Sequence, residues 1–144
     1  SRPNDEQRLA SLVQAATGFE QIDLAVHFFD MFPRSKFRPA LMLLFGDILE
    51  VTAVRLSREA NSRLRQGEMA ATAAPLHSYF LSYVGLDRYR KLGIKFLFNP
   101  STRNYHYDGA SWNAIVRDHA NSPEVAEAQK RLQILKERME TVKK

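Results

Sequence analysis

The sequence predicts a mainly α protein: a single helical domain of about six helices spanning residues 1–144, with one β-hairpin late in the chain. Three observations carry this. Apolar residues recur at helical spacing in most segments, and Gly or Pro punctuates the gaps. Only residues 93–109 switch to the alternating period of paired strands. A chain of 144 residues, 44% hydrophobic and 26% charged, matches one globular core of ordinary size.

The first helix is expected to open at Asn4, a capping residue with Gln7 three positions on, and to carry Leu9, Leu12, Val13 and Ala16 on one face. Gly18 suits its left-handed stop. The second runs from about Glu20 to Phe32. Leu24, Ala25, Phe28, Phe29, Met31 and Phe32 cover most of its circumference, which makes it central to the core. After the cationic connector 33–39, Pro39 begins the longest helix, reaching about Arg65. Gly46 inside it costs about 1 kcal/mol relative to Ala, which a close helix crossing, a bend or a break would explain. Gly67 closes this helix, and the Ala-rich stretch 68–75 reads as a linker or a short helix.

A further helix from Leu76 carries Tyr79, Phe80, Tyr83 and Val84 to Gly85, and a single helical turn follows over 86–92. The hairpin pairs the alternating runs 93–98 and 103–109 across the turn Asn99-Pro100-Ser101-Thr102. One hairpin is marginal alone in water, so it must pack on helices. Ser111 is placed as the cap of a short helix with Trp112, Ile115 and Val116. The core is expected to centre on Phe28, Phe29, Phe32, Leu41, Leu44, Phe45, Ile48, Phe80 and Trp112.

The terminal element, residues 122–144, is an amphipathic helix with Ser122 as N-cap and Pro123 at its first position. Val125, Ala128, Leu132, Leu135, Met139 and Val142 form a heptad seam. Of the flanking Gln129, Arg131, Lys136, Arg138 and Lys143, four are cationic and would repel one another in a parallel self-pair. The seam is therefore expected to pack on its own core or on an acidic partner helix. Leu132, Leu135, Met139 and Val142 are its candidate protein-interaction residues.

Several classes of function are set aside by what the chain lacks. With no cysteine there is no disulfide framework, cysteine nucleophile or thiolate metal site. His27, His77, His106 and His119 are scattered without ligand spacing, and no phosphate-binding loop or nucleophile motif occurs. No enzyme activity, cofactor or metal is expected. Asp47 and Glu50, one helical turn apart, are expected on the solvent edge or paired with Arg34 or Arg38 rather than as an acid–base couple. His106 falls on the same strand face as Asp108, within reach of a hydrogen bond. The run from Pro39 to Phe45 is broken by Asp47 and Glu50, well short of the roughly 18 apolar residues of a spanning helix, so no membrane contact is expected. The chain has no signal-peptide pattern, lacks an initiator Met and ends on a charged helix, which reads as a segment of a longer intracellular protein of cytoplasm or nucleus.

What remains is charge. Twenty-one Lys and Arg against sixteen Asp and Glu give +5. Segments 34–38, 55–65 and 88–103 hold twelve of those cations, and 130–144 six more. Aromatic residues interleave with the late clusters. The leading expectation is a non-enzymatic nucleic-acid-binding domain, for DNA or RNA. Arg34, Lys36, Arg38, Arg55, Arg58, Arg88, Arg90, Lys91, Lys95 and Arg103 would meet phosphates, and Tyr105 and Tyr107 would stack on bases. The alternative is a protein-interaction or scaffold module docking through the terminal helix or an apolar groove.

Overall fold

A computed structural model describes residues 3–65 and 73–140. Among these residues it is mostly helical, with six helices of nine residues or more and one two-stranded hairpin, as the periodicities predict. The helices are α1 (Pro3–Ala15), α2 (Gly18–Met31), α3 (Arg38–Arg63), α4 (Ala73–Leu81), the single turn α5 (Asp87–Arg90), α6 (Ala110–Asp118) and α7 (Val125–Glu140). A 3₁₀ turn, Val84–Leu86, precedes α5, and strands β1 (Phe96–Asn99) and β2 (Asn104–Tyr107) lie between α5 and α6. Gly67 and most of the stretch 68–75 lie outside the described residues.

The chain divides into two compact units, each built from separated pieces of sequence: Ser1–Leu49 with Gly109–Leu132, and Glu50–Asp108 with Gln133–Lys144. Both α3 and α7 contribute their first part to the first unit and the remainder to the second.

In the first unit α1 packs on α2. Gly18 takes φ 64 at their junction, the left-handed conformation expected of it, and α2 starts on that residue. Asn4 lies inside α1, so it is not the cap it was expected to be. Phe28 and Phe32 are buried with ring centroids 5.3 Å apart, and Phe29 meets Phe45 edge-on at 5.4 Å. The Ser35 hydroxyl accepts the Phe37 N–H at 3.0 Å and shapes the connector into α3. Gly46 resolves in favour of a close crossing. A Cβ there would overlap the indole of Trp112 and sit 2.8 Å from the Ser111 hydroxyl, so only glycine admits α6 at this distance. Ser111 is consequently a buried second residue of α6, not its cap; Gly109, at φ 81, precedes the helix.

The entry to α7 also differs from expectation. The helix begins at Val125, after a turn in which the Ser122 carbonyl accepts the Val125 N–H, and the Ser122 hydroxyl caps nothing. Arg131 fixes the helix in the first unit. Its guanidinium donates to Asp47 at 2.6 and 3.1 Å and to Glu127 at 2.8 Å, and both carboxylates push its pKa further up.

In the second unit, the later half of α3, α4, α5 and the hairpin enclose an aromatic core. β1 and β2 pair antiparallel with Phe96 opposite Tyr107 and Asn99 opposite Asn104. Tyr105, His106 and Tyr107 are all buried, so β2 is covered on both faces. Phe80 stacks on Phe98 at 4.6 Å, and Phe98 lies 5.4 Å from Tyr105. Asn99, fully buried, is the hinge of the turn. Its Oδ1 accepts the backbone N–H groups of Ser101 and Thr102 at 2.9 and 3.4 Å, and its Nδ2 donates to the Arg138 carbonyl at 2.9 Å. Arg103 closes the loop at φ 58, its N–H bonded to the Asn99 carbonyl.

Of the expected core residues, Phe28, Phe32, Leu41, Phe45, Phe80 and Trp112 are buried, while Phe29, Leu44 and Ile48 are half-buried at the rim. The expectation missed Tyr89 and Tyr105, two of the largest fully buried side chains.

Candidate nucleic-acid interface

The two units carry very different charge. The first holds eight Lys and Arg against nine Asp and Glu, a net of −1. The second holds thirteen against seven, a net of +6. The whole positive excess therefore belongs to the second unit.

Within that unit the cations gather around one face of α3. Arg55 and Arg58 lie three residues apart, hence side by side along the helix, and both are exposed. Each lines a groove. Arg55, Arg88 and Lys91 line a groove of about 340 Å³, along with Leu56, Glu59 and Asp87. Arg58 lines another, of about 470 Å³, along with Glu50, Asn61, Asn104, His106 and Arg138.

Some of these cations are held in place. Arg55 donates to Glu59 at 3.2 Å and to the Tyr89 hydroxyl at 2.8 Å. Arg88 lies over the Tyr89 ring, 5.2 Å from its centroid, and donates to the same hydroxyl. Arg90 donates to the Leu81 carbonyl at 2.6 Å and lines neither groove. The side chains of Arg58, Lys91 and Lys95 are exposed and form no hydrogen bond or ion pair among the described residues. Arg103 is also exposed, and its carbonyl accepts at 2.8 Å from Nδ2 of Asn61, which lines the groove of about 470 Å³.

Arg34, Lys36 and Arg38 belong to the other, near-neutral unit. Arg38 serves packing there, donating to the Phe29 carbonyl at 2.9 Å and lying over the Phe29 ring. Lys36 covers Phe37.

Tyr105 and Tyr107 do not present rings to a base: they are 1% and 2% exposed. The cause is their surroundings. The Tyr105 hydroxyl donates to the Phe80 carbonyl at 2.5 Å and its N–H to the Ser57 hydroxyl at 2.7 Å, so the residue is satisfied inside the core. Burial and the neighbouring Tyr79 and Tyr83 raise its pKa; burial and the Glu59 hydrogen bond push Tyr83 up to about 12.

His106 pairs with Glu50, not with Asp108 as its strand position suggested. Its Nδ1 lies 2.9 Å from Glu50 Oε2, so this nitrogen carries the proton. Glu50 also accepts from Arg138 Nη1 at 2.9 Å and from the Tyr107 N–H at 2.8 Å. Asp47 and Glu50 thus find Arg131 and Arg138 of α7, not Arg34 or Arg38. The only sequence signal for this was the seven-residue spacing of Arg131 and Arg138 beside the seam.

The seam residues Leu132, Leu135 and Met139 are half-buried; Val142 lies outside the described residues. Among the described residues, no cluster of His or carboxylate groups could hold a metal ion, and no helix is long and apolar enough to cross a membrane. No protein-family model matches the chain, and neither a curated protein nor a solved structure matches it.

Proposed function

We propose that this chain binds nucleic acid, DNA or RNA, through the sugar–phosphate backbone, and that the second unit carries the contacts. The supporting observation is the segregation of charge: a net +6 on that unit, with Arg55, Arg58, Arg88, Lys91 and Arg138 lining two grooves that share α3. Lys95 and Arg103 extend the same charge. Cations that neutralise phosphates release condensed counterions, so affinity follows salt rather than sequence. The buried tyrosines remove the stacking part of the expectation, which leaves backbone contact as the mode.

The test is fluorescence anisotropy with a labelled oligonucleotide across a salt series. Five phosphate contacts would give a slope of log K against log salt of about −3.5 for single strands and about −4.5 for duplex. Replacing Arg55 and Lys91 by Glu lowers the affinity, whereas the same change at Arg34 and Lys36 in the other unit does not. Absence of binding at low salt ends the proposal.

A further inference from the structure

We infer that the groove of about 470 Å³ beside α3 is a phosphate subsite, with Arg58 as its anchoring cation and the Asn104 amide as a further donor. As the seat of one phosphate in a strand it rests on the reading above; as a phosphate site it is tested separately.

Much of the hydrogen-bonding capacity inside the groove is already used. Glu50 accepts from His106, Arg138 and the Tyr107 N–H, so its carboxylate is fully engaged. The Ser57 hydroxyl donates to the Ala53 carbonyl and accepts from the Tyr105 N–H. Asn61 Nδ2 donates to the carbonyls of Ser57 and Arg103. Two donor groups that line the groove remain uncommitted among the described residues: the Arg58 guanidinium and the Asn104 amide.

Charge then selects the ligand. Arg138 offsets Glu50 at 2.9 Å, and the groove keeps the charge of Arg58. An anion answers it. The two donors come from two elements, Arg58 from α3 and Asn104 from β2, and so approach a ligand from different directions. A tetrahedral phosphate offers acceptor oxygens to each of them, and the fork of Arg58 can engage two at once. A planar carboxylate has both oxygens on one edge.

The phosphate could come from a polynucleotide or from a free phosphate compound, and two arms of one experiment separate these sources. In the first, the full chain is titrated with inorganic phosphate, adenosine monophosphate and acetate, followed by NMR of the Arg58 side chain and the Asn104 amide. Both phosphate compounds should shift these signals saturably, and acetate should not. Arg58→Gln should abolish the response while Arg8→Gln on α1 preserves it. The Arg58 side chain is exposed and bonded to nothing in the described chain, so its loss leaves the circular dichroism spectrum unchanged. In the second arm, Arg58→Gln should weaken a labelled oligonucleotide about tenfold, the scale of one charge-assisted hydrogen bond.

A groove that ignores phosphate, responds equally to acetate, or binds phosphate unchanged in Arg58→Gln overturns the subsite. Oligonucleotide binding that Arg58→Gln leaves intact also overturns it, while the backbone-binding proposal survives. Saturable phosphate shifts without any oligonucleotide binding do the reverse, and identify a site for small phosphate compounds.

Discussion

The two units of this chain solve the same problem with different chemistry. The first contains the single tryptophan and six of the nine phenylalanines, and no tyrosine; the second contains all five tyrosines. In the first, cations are consumed by structure: Arg131 on Asp47 and Glu127, Arg38 on the Phe29 carbonyl, Arg117 on Asp118. In the second, tyrosine hydroxyls take up much of that role. Tyr79 bonds the Ala60 carbonyl at 2.6 Å, Tyr105 that of Phe80, and Tyr83 the Glu59 carboxylate. Neutral donors secure the core, and several Arg and Lys side chains are left uncommitted at the surface. A unit stabilised this way can carry a large single-sign charge and remain available to an anionic partner.

The sharpest test of this contrast is Asn99→Ala in the second unit. It removes the hydrogen bonds that this fully buried side chain makes with the Ser101 and Thr102 N–H groups and with the Arg138 carbonyl. We expect a loss of about 3 kcal/mol, since each intramolecular hydrogen bond contributes on the order of 1 kcal/mol. Urea denaturation followed by circular dichroism measures it, and an unchanged midpoint would show that the hairpin does not depend on this residue.

The second test uses pH, and only the second unit can respond through tyrosine. Tyr83 and Tyr105 ionise near 10 when unfolded, and their pKa values are raised in the fold, to about 12 for Tyr83. Above pH 10 the unfolded chain releases protons that the folded chain still holds. Their contribution to stability is therefore complete below pH 10 and falls as the pH rises towards 12. The urea midpoint should drop between about pH 10 and about pH 12, with tyrosinate absorbance lagging that of the denatured protein. Substituting Phe at position 83 should reduce the drop.

The third test probes the first unit alone. Gly46→Ala ordinarily favours a helix by about 1 kcal/mol. Here the new methyl group enters the Trp112 indole, and overpacking of a rigid ring costs on the order of 1–3 kcal/mol beyond that gain. We expect a net loss of about 2 kcal/mol, with Trp112 emission altered and oligonucleotide affinity unchanged. A stabilised variant would show that α6 can move aside.

How much of this was legible in the sequence follows from the range of each signal. Helices and hairpin were legible because their periodicity is local: the alternation ending at Phe98 and the turn at Asn99 mark the hairpin within a residue or two. Caps were less so. Asn4, Ser111 and Ser122 have the right chemistry, but packing at Trp112 and the turn before Val125 decided where α6 and α7 begin. The charge contrast was legible only in part: residues 1–49 net −1 and residues 50–108 net +4, but both units are assembled from separated segments, so the full +6 appears only once 133–144 joins the second. The candidate site suffered most. Interleaved aromatics look alike whether they face bases or a core, and the acceptor that buries Tyr105 lies 25 residues away. Likewise Glu50 meets His106 across 56 residues and Arg138 across 88, distances over which spacing carries no information.

The smallest expected effect separates charge from stability at one position. Arg103 sits in the left-handed region at φ 58, where a side chain with a Cβ costs on the order of 1 kcal/mol and glycine costs little. Its backbone N–H and carbonyl make the loop's hydrogen bonds to Asn99 and Asn61, and glycine keeps both. Arg103→Gly should therefore hold or raise stability, by up to about 1 kcal/mol, offset in part by the greater freedom of glycine in the unfolded chain. Over the same change, the magnitude of the salt slope for oligonucleotide binding should fall by about one contact's worth, 0.7 to 0.9. A variant more stable yet less salt-sensitive would show that this cation is kept for its charge at a cost to the fold. An unchanged slope would confine the interface to the two grooves along α3.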